Sequence, residues 1–467
     1  MTSLASAVSL PRPLRQAPAG LLAGILRTLV VAVIFLLPFH PLLVFLVGSS
    51  PLIHWKEALI ALSCLVAVFG ALLGRLSSSR LRRTPLALLG LFLGVVACSA
   101  LGRGDLIAVF GAGGYTVYLC LYLVIVLSFR DLRPGLLIFL LLTPGVIIAL
   151  GAIVQIVRDP TLWGLVTLVV LGGTDLIRTG SILGSAIVLA PYLTILVVLG
   201  LAATVAARRW TTRLPALGAT LVLSVALGTT WSRGGWLQLL LALVILGGLV
   251  WWGGGTRALA PVRRRLLIGG VIVLVALSLW LTREGASGVL ENLKARTVAA
   301  LNWSTEEANL ERRRAWIANL QFLAESPVRV LVGAGPGEGW TFELPSRGTI
   351  SPYEAWMLRR GLPPVTESFF LLLLLNLGVL GLGLFCAIYL SILRRGFRLL
   401  RRLEDPFEYT ATAAVVAGLL ALFVAQLWFQ SLTSIFVSMI LWVQFAYLSL
   451  LEPTAGSRRA DPADRAG

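Results

Sequence analysis

Glu367-Ser-Phe-Phe-Leu-Leu-Leu-Leu-Leu-Asn-Leu-Gly-Val-Leu-Gly-Leu-Gly-Leu-Phe-Cys-Ala-Ile-Tyr-Leu-Ser-Ile-Leu393 carries one carboxylate at its head and no other charge. About 20 consecutive apolar residues suffice to cross the hydrocarbon of a bilayer as a helix. This stretch therefore reads as a membrane span. Working outward from it, comparable runs occupy 20–38, 57–74, 85–101, 106–129, 135–157, 182–207, 215–231, 235–252, 266–282, 410–430 and 434–451. The seventh and eighth runs are separated only by Ser232-Arg233-Gly234, which leaves a hairpin or a broken helix open there. The segment 163–172 is apolar but too short to span, and reads as interfacial or re-entrant.

Composition agrees. A mean hydropathy of +0.91, with 58% hydrophobic and 13% charged residues, excludes a soluble domain. The fold class expected is an all-α polytopic membrane protein of about 12 transmembrane helices. Residues 1–19 form a basic arm, 20–452 a single transmembrane domain, and 453–467 a tail. A net charge of +18 would suggest nucleic acid in a soluble chain, but here the arginines sit in short clusters between apolar runs. Membrane topology accounts for that pattern, and no nucleic-acid partner is expected. Of the 39 basic residues, 23 fall in the segments before the first run and after the even-numbered ones, and Arg27 within the first run makes 24. By the positive-inside rule both termini are then cytoplasmic, and the long segment 283–366 is extracytoplasmic. The four cysteines lie inside apolar runs and His40 and His54 are isolated in the sequence, so no metal site is expected.

Polar chemistry has few locations outside that loop. Thr230-Trp-Ser232-Arg233-Gly-Gly-Trp236 sets an arginine between two runs. It is either a snorkelling anchor in an aromatic belt or a guanidinium fork facing a phosphate. Within the loop, 309–326 reads as a helix ending before Pro327, with one apolar face at 310, 316, 317, 320 and 323. Arg312 and Trp316, four apart, share a face, and Arg313 and Arg314 complete a basic cluster. An anionic partner or pairing with Glu306, Glu307 and Glu311 would each explain it. Gly333-Ala-Gly335-Pro-Gly337 is a tight turn whose exposed N–H groups are also suited to an oxyanion. Trp340, Tyr353 and Trp356 are candidate acceptor-binding aromatics or interfacial contacts. Glu367 is either a helix cap or a general base.

Taken in order, Arg178-Thr-Gly180 running to Pro191-Tyr192, Ser232-Arg233-Gly-Gly-Trp236, Arg312 with Trp316, Gly333-Ala-Gly-Pro-Gly337 and Glu367-Ser-Phe-Phe resemble the O-antigen ligase and O-antigen polymerase superfamily of bacterial cell-envelope glycosyltransferases. The resemblance spans roughly residues 20–450. It implies a GT-C-like membrane architecture in the cytoplasmic membrane. It also implies inverting, metal- and cofactor-independent transfer of a glycan from an undecaprenyl-diphosphate-linked donor to a glycan or lipid-glycan acceptor at the outer face. Arg178, Arg233 and Arg312 match the family's diphosphate-binding arginines, and Gly333, Gly335 and Gly337 its turn. Glu367 stands where the family has a histidine, a departure that favours a polysaccharide polymerase over a lipid A ligase. A chain-length regulator or a flippase would be the protein partners. A transporter of lipid-linked oligosaccharide and a non-catalytic binding relative are the alternatives.

Overall fold

The computed structural model describes residues 19–47, 54–72, 84–104, 106–129, 132–158, 166–171, 174–252, 259–283, 307–338, 352–360 and 368–451. The chain runs α1 (Ala19–Leu36), α2 (His40–Val47), α3 (Trp55–Leu72), α4 (Leu86–Arg103), α5 (Leu106–Ser128) and α6 (Pro134–Arg158). Strands β1 (Val166–Leu171) and β2 (Thr174–Thr179) precede α7 (Ala186–Ala206), α8 (Trp210–Thr229), α9 (Arg233–Trp252) and α10 (Ala260–Arg283). Three short or medium helices follow: α11 (Glu307–Ala324), α12 (Pro327–Val332) and α13 (Pro352–Leu358). The chain closes with α14 (Phe369–Leu400), α15 (Pro406–Ala425) and α16 (Ile435–Leu450).

Among the described residues ten helices are long and apolar enough to cross a membrane. The remaining two of the twelve apolar runs are also helical, as the 24-residue α10 and the 16-residue α16. The protein is thus a helical, multi-pass membrane protein. The all-helical expectation needs one correction: the apolar segment near 163–172 contributes β1, which pairs antiparallel with β2 from Val166↔Thr179 to Leu171↔Thr174. Val-Thr-Leu-Val-Val-Leu is rich in β-branched residues and too short to span, so a hairpin suits it and pairs the backbone groups that face the partner strand.

Helices α7, α15 and α16 form the centre. Nearly every residue of α7 and all of α16 from Phe436 to Leu450 are buried, as suits helices apolar on every face. The outer helices bury one stripe each. On α4 it is Leu89, Phe92, Val96 and Ala100, spaced three or four apart, while Leu91 and Leu101 face outward.

The bundle has two chemically distinct ends. At one, arginines reach the last carbonyls of neighbouring helices: Arg27 Nε to Ser128 O of α5 (2.9 Å), Arg265 Nη1 to Val205 O of α7 (3.3 Å) and Arg263 Nε to Val250 O of α9 (3.2 Å). Arg395 binds Leu448 O and Ser449 O at the end of α16 (2.6 and 2.8 Å). Helix C-termini carry unpaired carbonyls and the negative end of the dipole, so a guanidinium fork is a fitting cap. Arg208 and Asp405 pair at the same end, 2.9 Å apart. The opposite end carries the β-hairpin and α11–α13, and is called the loop end below.

Candidate functional site at the loop end

Residues 178–181 are pinned from two sides. Arg178 lies in β2 opposite Thr167, and next to it the buried Thr179 Oγ1 stands 2.6 Å from Thr229 Oγ1 at the last residue of α8. Gly180 lies so close to the following turn that a Cβ there would stand 2.4 Å from Ser185 N. The buried Ser181 donates its N–H to Gln155 Oε1 (3.0 Å) and its hydroxyl to Ile148 O (2.7 Å), both on α6. The strand end that carries Arg178 is therefore fixed against α6 and the α8–α9 reversal.

That reversal carries the second motif. Trp231, buried, adopts φ +48°, and Ser181 adopts φ +51°. Among the described residues these are the two non-glycine positions with positive φ, and they border Arg178 and Arg233. Left-handed backbone costs a non-glycine residue roughly 1–2 kcal/mol and persists only where the surroundings enforce it. Ser232 Oγ accepts Gly235 N–H at 3.2 Å and so starts α9 with Arg233 in its first turn, half-buried. Gly234 lies against the tip of the Phe429 ring, where a Cβ would stand 1.9 Å from Cζ.

Phe429 links this motif to the head of α14. Its carbonyl accepts Phe369 N–H at 2.9 Å, and Ser368 Oγ donates to Gln426 O at 3.0 Å. Ser368 also accepts Leu371 N–H, at 3.5 Å, and is the N-cap of α14. The capping role considered for Glu367 thus belongs to Ser368. Glu367 itself, like Trp340, lies outside the described residues.

The glycine turn is not an open anion cradle. Gly333, Gly335 and Gly337 have φ +81°, +108° and +92°, and their backbone is packed into the bundle. Ala334 N–H donates to Leu375 O (2.7 Å), Gly335 N–H to Asn376 O (3.2 Å) and Gly337 N–H to Asn376 Oδ1 (2.6 Å). Asn376 Nδ2 returns a bond to Glu338 O at 2.8 Å. At Gly378, with φ +63° and ψ −168°, α14 is broken, and a Cβ there would stand 2.3 Å from the carbonyl carbon of Leu331. A Cβ on Gly111 of α5 would meet Gly337 N at 2.3 Å, and one on Gly335 would meet the Arg103 side chain at 2.7 Å. Glycines on both partners let the two backbones touch.

A buried ion pair closes this joint. Arg103 Nη1 lies 2.6 Å from Glu338 Oε1, with the two side chains 8% and 0% exposed. Glu338 Oε2 also accepts Tyr353 N–H at 3.3 Å, which ties α13 to the turn. The sequence reading did not single out Arg103, Glu338 or Asn376. Their signal was present: each is a polar residue at or inside an apolar run, or the first carboxylate after the glycines, and such residues seek partners.

Helix α11 forms as expected and ends before Pro327, but its buried face is Ala315, Ala318, Asn319, Phe322 and Leu323. Ile317 and Leu320, assigned to the apolar face from the sequence, are exposed. Arg312 is half-buried, while Arg313 and Arg314 are exposed. Being three residues before Ala315 and seven before Asn319, Arg312 shares the inward face. Tyr353, Trp356 and Met357 of α13 pack with Phe322, Leu323 and Leu375 into a small second core. Tyr353 and Trp356 are thus buried structural aromatics and not an exposed sugar platform.

Around this core Trp356 Nε1 donates to Glu325 Oε1 at 2.6 Å, and the Arg360 guanidinium stacks 3.6 Å from the Trp356 ring centroid. The indole hydrogen bond, then Arg329 and Arg360, hold the Glu325 carboxyl below its usual range. Burial pushes the Tyr353 phenol up.

His40 and His54 also prove less isolated than their sequence positions imply. Lys56 Nζ lies 3.2 Å from His40 Nε2 and 2.7 Å from Glu57 Oε1, and His54 Nδ1 is 4.0 Å from Glu57 Oε2.

Fold and site together define a multi-pass helical membrane protein with arginine-capped helix ends on one side and a joint of buried polar groups on the other. Neither the family models nor the curated proteins contain a match to this chain.

Proposed function

We propose that the protein is a membrane glycosyltransferase of the O-antigen ligase and polymerase kind, taking its sugar from a polyprenyl diphosphate. The observation that carries the reading is the meeting of three separate motifs at the loop end. Thr179 against Thr229 joins the Arg178 strand to the Arg233 turn, and Phe429 joins Gly234 to Phe369 at the head of α14, two residues after Glu367. In this reading the acceptor hydroxyl attacks the anomeric carbon as Glu367 takes its proton. The bond from that carbon to the diphosphate oxygen breaks with inversion, and undecaprenyl diphosphate leaves. Charge grows on the leaving diphosphate, so arginine forks at Arg178, Arg233 and Arg312 stabilise the transition state more than the ground state. Arginine enrichment at the opposite end supports a cytoplasmic location for that end and both termini, in the bacterial inner membrane, with the reaction outside.

The break in α14 is the feature that would favour a transporter of lipid-linked oligosaccharide, since transporters bind cargo at interrupted helices. Here the gap is filled by backbone from Leu331 to Gly333, which argues for a joint over a cargo site. Purified protein in nanodiscs, given an undecaprenyl-diphosphate oligosaccharide and a glycan acceptor, should release undecaprenyl diphosphate and yield an extended glycan. Movement of intact donor across proteoliposomes without diphosphate release would establish the transporter instead.

A further inference from the structure

Helix α12 lies in the middle of the presumed aqueous loop, yet its docking partners are membrane helices. Ser99 Oγ of α4 is 3.3 Å from both Val332 O and Asn376 O, and Leu331 fills the break at Gly378 of α14. Helix α4 is 18 residues long. At 1.5 Å per residue that is about 27 Å, close to the ~30 Å hydrocarbon thickness, so its ends mark the two hydrocarbon edges. Ser99 is four residues before the end at Arg103, or about 6 Å inside that edge. The C-terminal end of α12 is held at this depth.

Its free face is apolar. Val328, Val330 and Leu331 are 67%, 40% and 53% exposed, and no residue of the helix is buried. On the two membrane-spanning helices against which α12 docks, Leu101 of α4 and Val379 and Leu380 of α14 also face outward. The charge within α12 points the other way: Arg329 stacks 4.5 Å from the Phe322 ring centroid and pairs with Glu325 at 3.2 Å, both on the α11 side. An apolar face at bilayer depth with its cation drawn to the aqueous side is the pattern of an interfacial helix.

We propose that α12 is seated in the loop-side leaflet of the bilayer, with lipid acyl chains covering Val328, Val330 and Leu331. Helix α11, with its arginines, is then held at headgroup level just outside this embedded helix. The proposal is independent of the reaction carried out there.

The test uses full-length protein in nanodiscs with a fluorophore at Val328→Cys or, as reference, Arg314→Cys. Lipids bearing a nitroxide on the upper part of an acyl chain should quench the label at 328 several-fold more than at 314, with aqueous iodide giving the opposite order. Because a label at 328 can disturb folding, the unmodified protein is also footprinted. Residues 328–331 should react with a membrane-partitioned carbene and resist hydroxyl radicals. Equal iodide access at 328 and 314, or hydroxyl-radical labelling of 328–331 at the level of exposed α11 residues, would overturn it.

Discussion

Arg103, the last residue of α4, and Glu338, the first carboxylate after the glycine turn, form an ion pair 2.6 Å long with almost no solvent contact. It joins a membrane helix to a segment 235 positions further along the chain. Removing one partner strands the other as a buried charge, which typically costs about 3–5 kcal/mol. Arg103→Ala and Glu338→Ala should therefore each lower the thermal midpoint in detergent far more than a surface change. The double replacement by Met and Leu should recover most of the loss. Single variants as stable as the parent would show that the pair contributes little.

The glycine joint makes a sharper steric prediction. Gly333→Ala and Gly378→Ala each impose a positive-φ penalty and a Cβ within 2.3–2.4 Å of opposing backbone. Left-handed strain of about 1–2 kcal/mol and overpacking of about 1–3 kcal/mol then act together. Gly113→Ala, whose Cβ would meet nothing within 4 Å, serves as the control and should be neutral or slightly stabilising. Limited proteolysis of the α12–α13 region reads the difference.

For Trp356 the buried position replaces the acceptor-binding expectation with one about stability. Truncating a buried aromatic costs about 3–5 kcal/mol. Trp356→Ala should release α13, seen as faster hydrogen exchange in 352–360. A variant with unchanged exchange and a raised acceptor KM would restore the sugar-platform reading.

Glu325 gives the same core a pH dependence. Its pKa is depressed by the Trp356 indole and then by Arg329 and Arg360. A depressed carboxylate contributes stability that is present above its unfolded pKa and lost as pH falls through the folded one. Protection of the amides in 352–360, taken relative to their intrinsic exchange at each pH, should be flat from neutral pH down to the ordinary carboxylate range, about 4, and fall below it. Glu325→Gln should abolish that acid limb; an unchanged limb would assign it to another group.

On the proposed reaction, Arg233→Lys keeps the charge but loses the fork, and should cost roughly tenfold or more in transfer rate. Glu367→Gln cannot accept a proton and should lose ~10²-fold or more. Full turnover in both would leave Arg233 as an anchor and put the base elsewhere.

The spans were legible because each apolar run is its own evidence, needing no knowledge of its neighbours. Runs such as 106–129 and 135–157 became α5 and α6 almost to the residue. The Arg103–Glu338–Asn376 joint was not legible, since its members come from three distant segments and only packing reveals the partnership. The face of α11 was misjudged because apolar Ile317 and Leu320 point outward near a membrane, where exposure is no penalty, while Ala315 and Asn319 point in. Tyr353 and Trp356 were read as exposed because a proline-rich stretch gives no sign of a second core.

The arginines that close the carbonyls of α5, α7, α9 and α16 have a consequence for biogenesis. Each cap comes from a different segment of the chain than the helix it closes. Under the positive-inside rule basic residues bias which end of a helix stays in the cytoplasm, and here residues of that kind also hold the finished helices to one another. A helix inserted in the wrong sense would present its amide end to those guanidinium groups, where the dipole repels them. A helix turned end for end in the bundle would thus lose the arginine cap that fastens it to its neighbour.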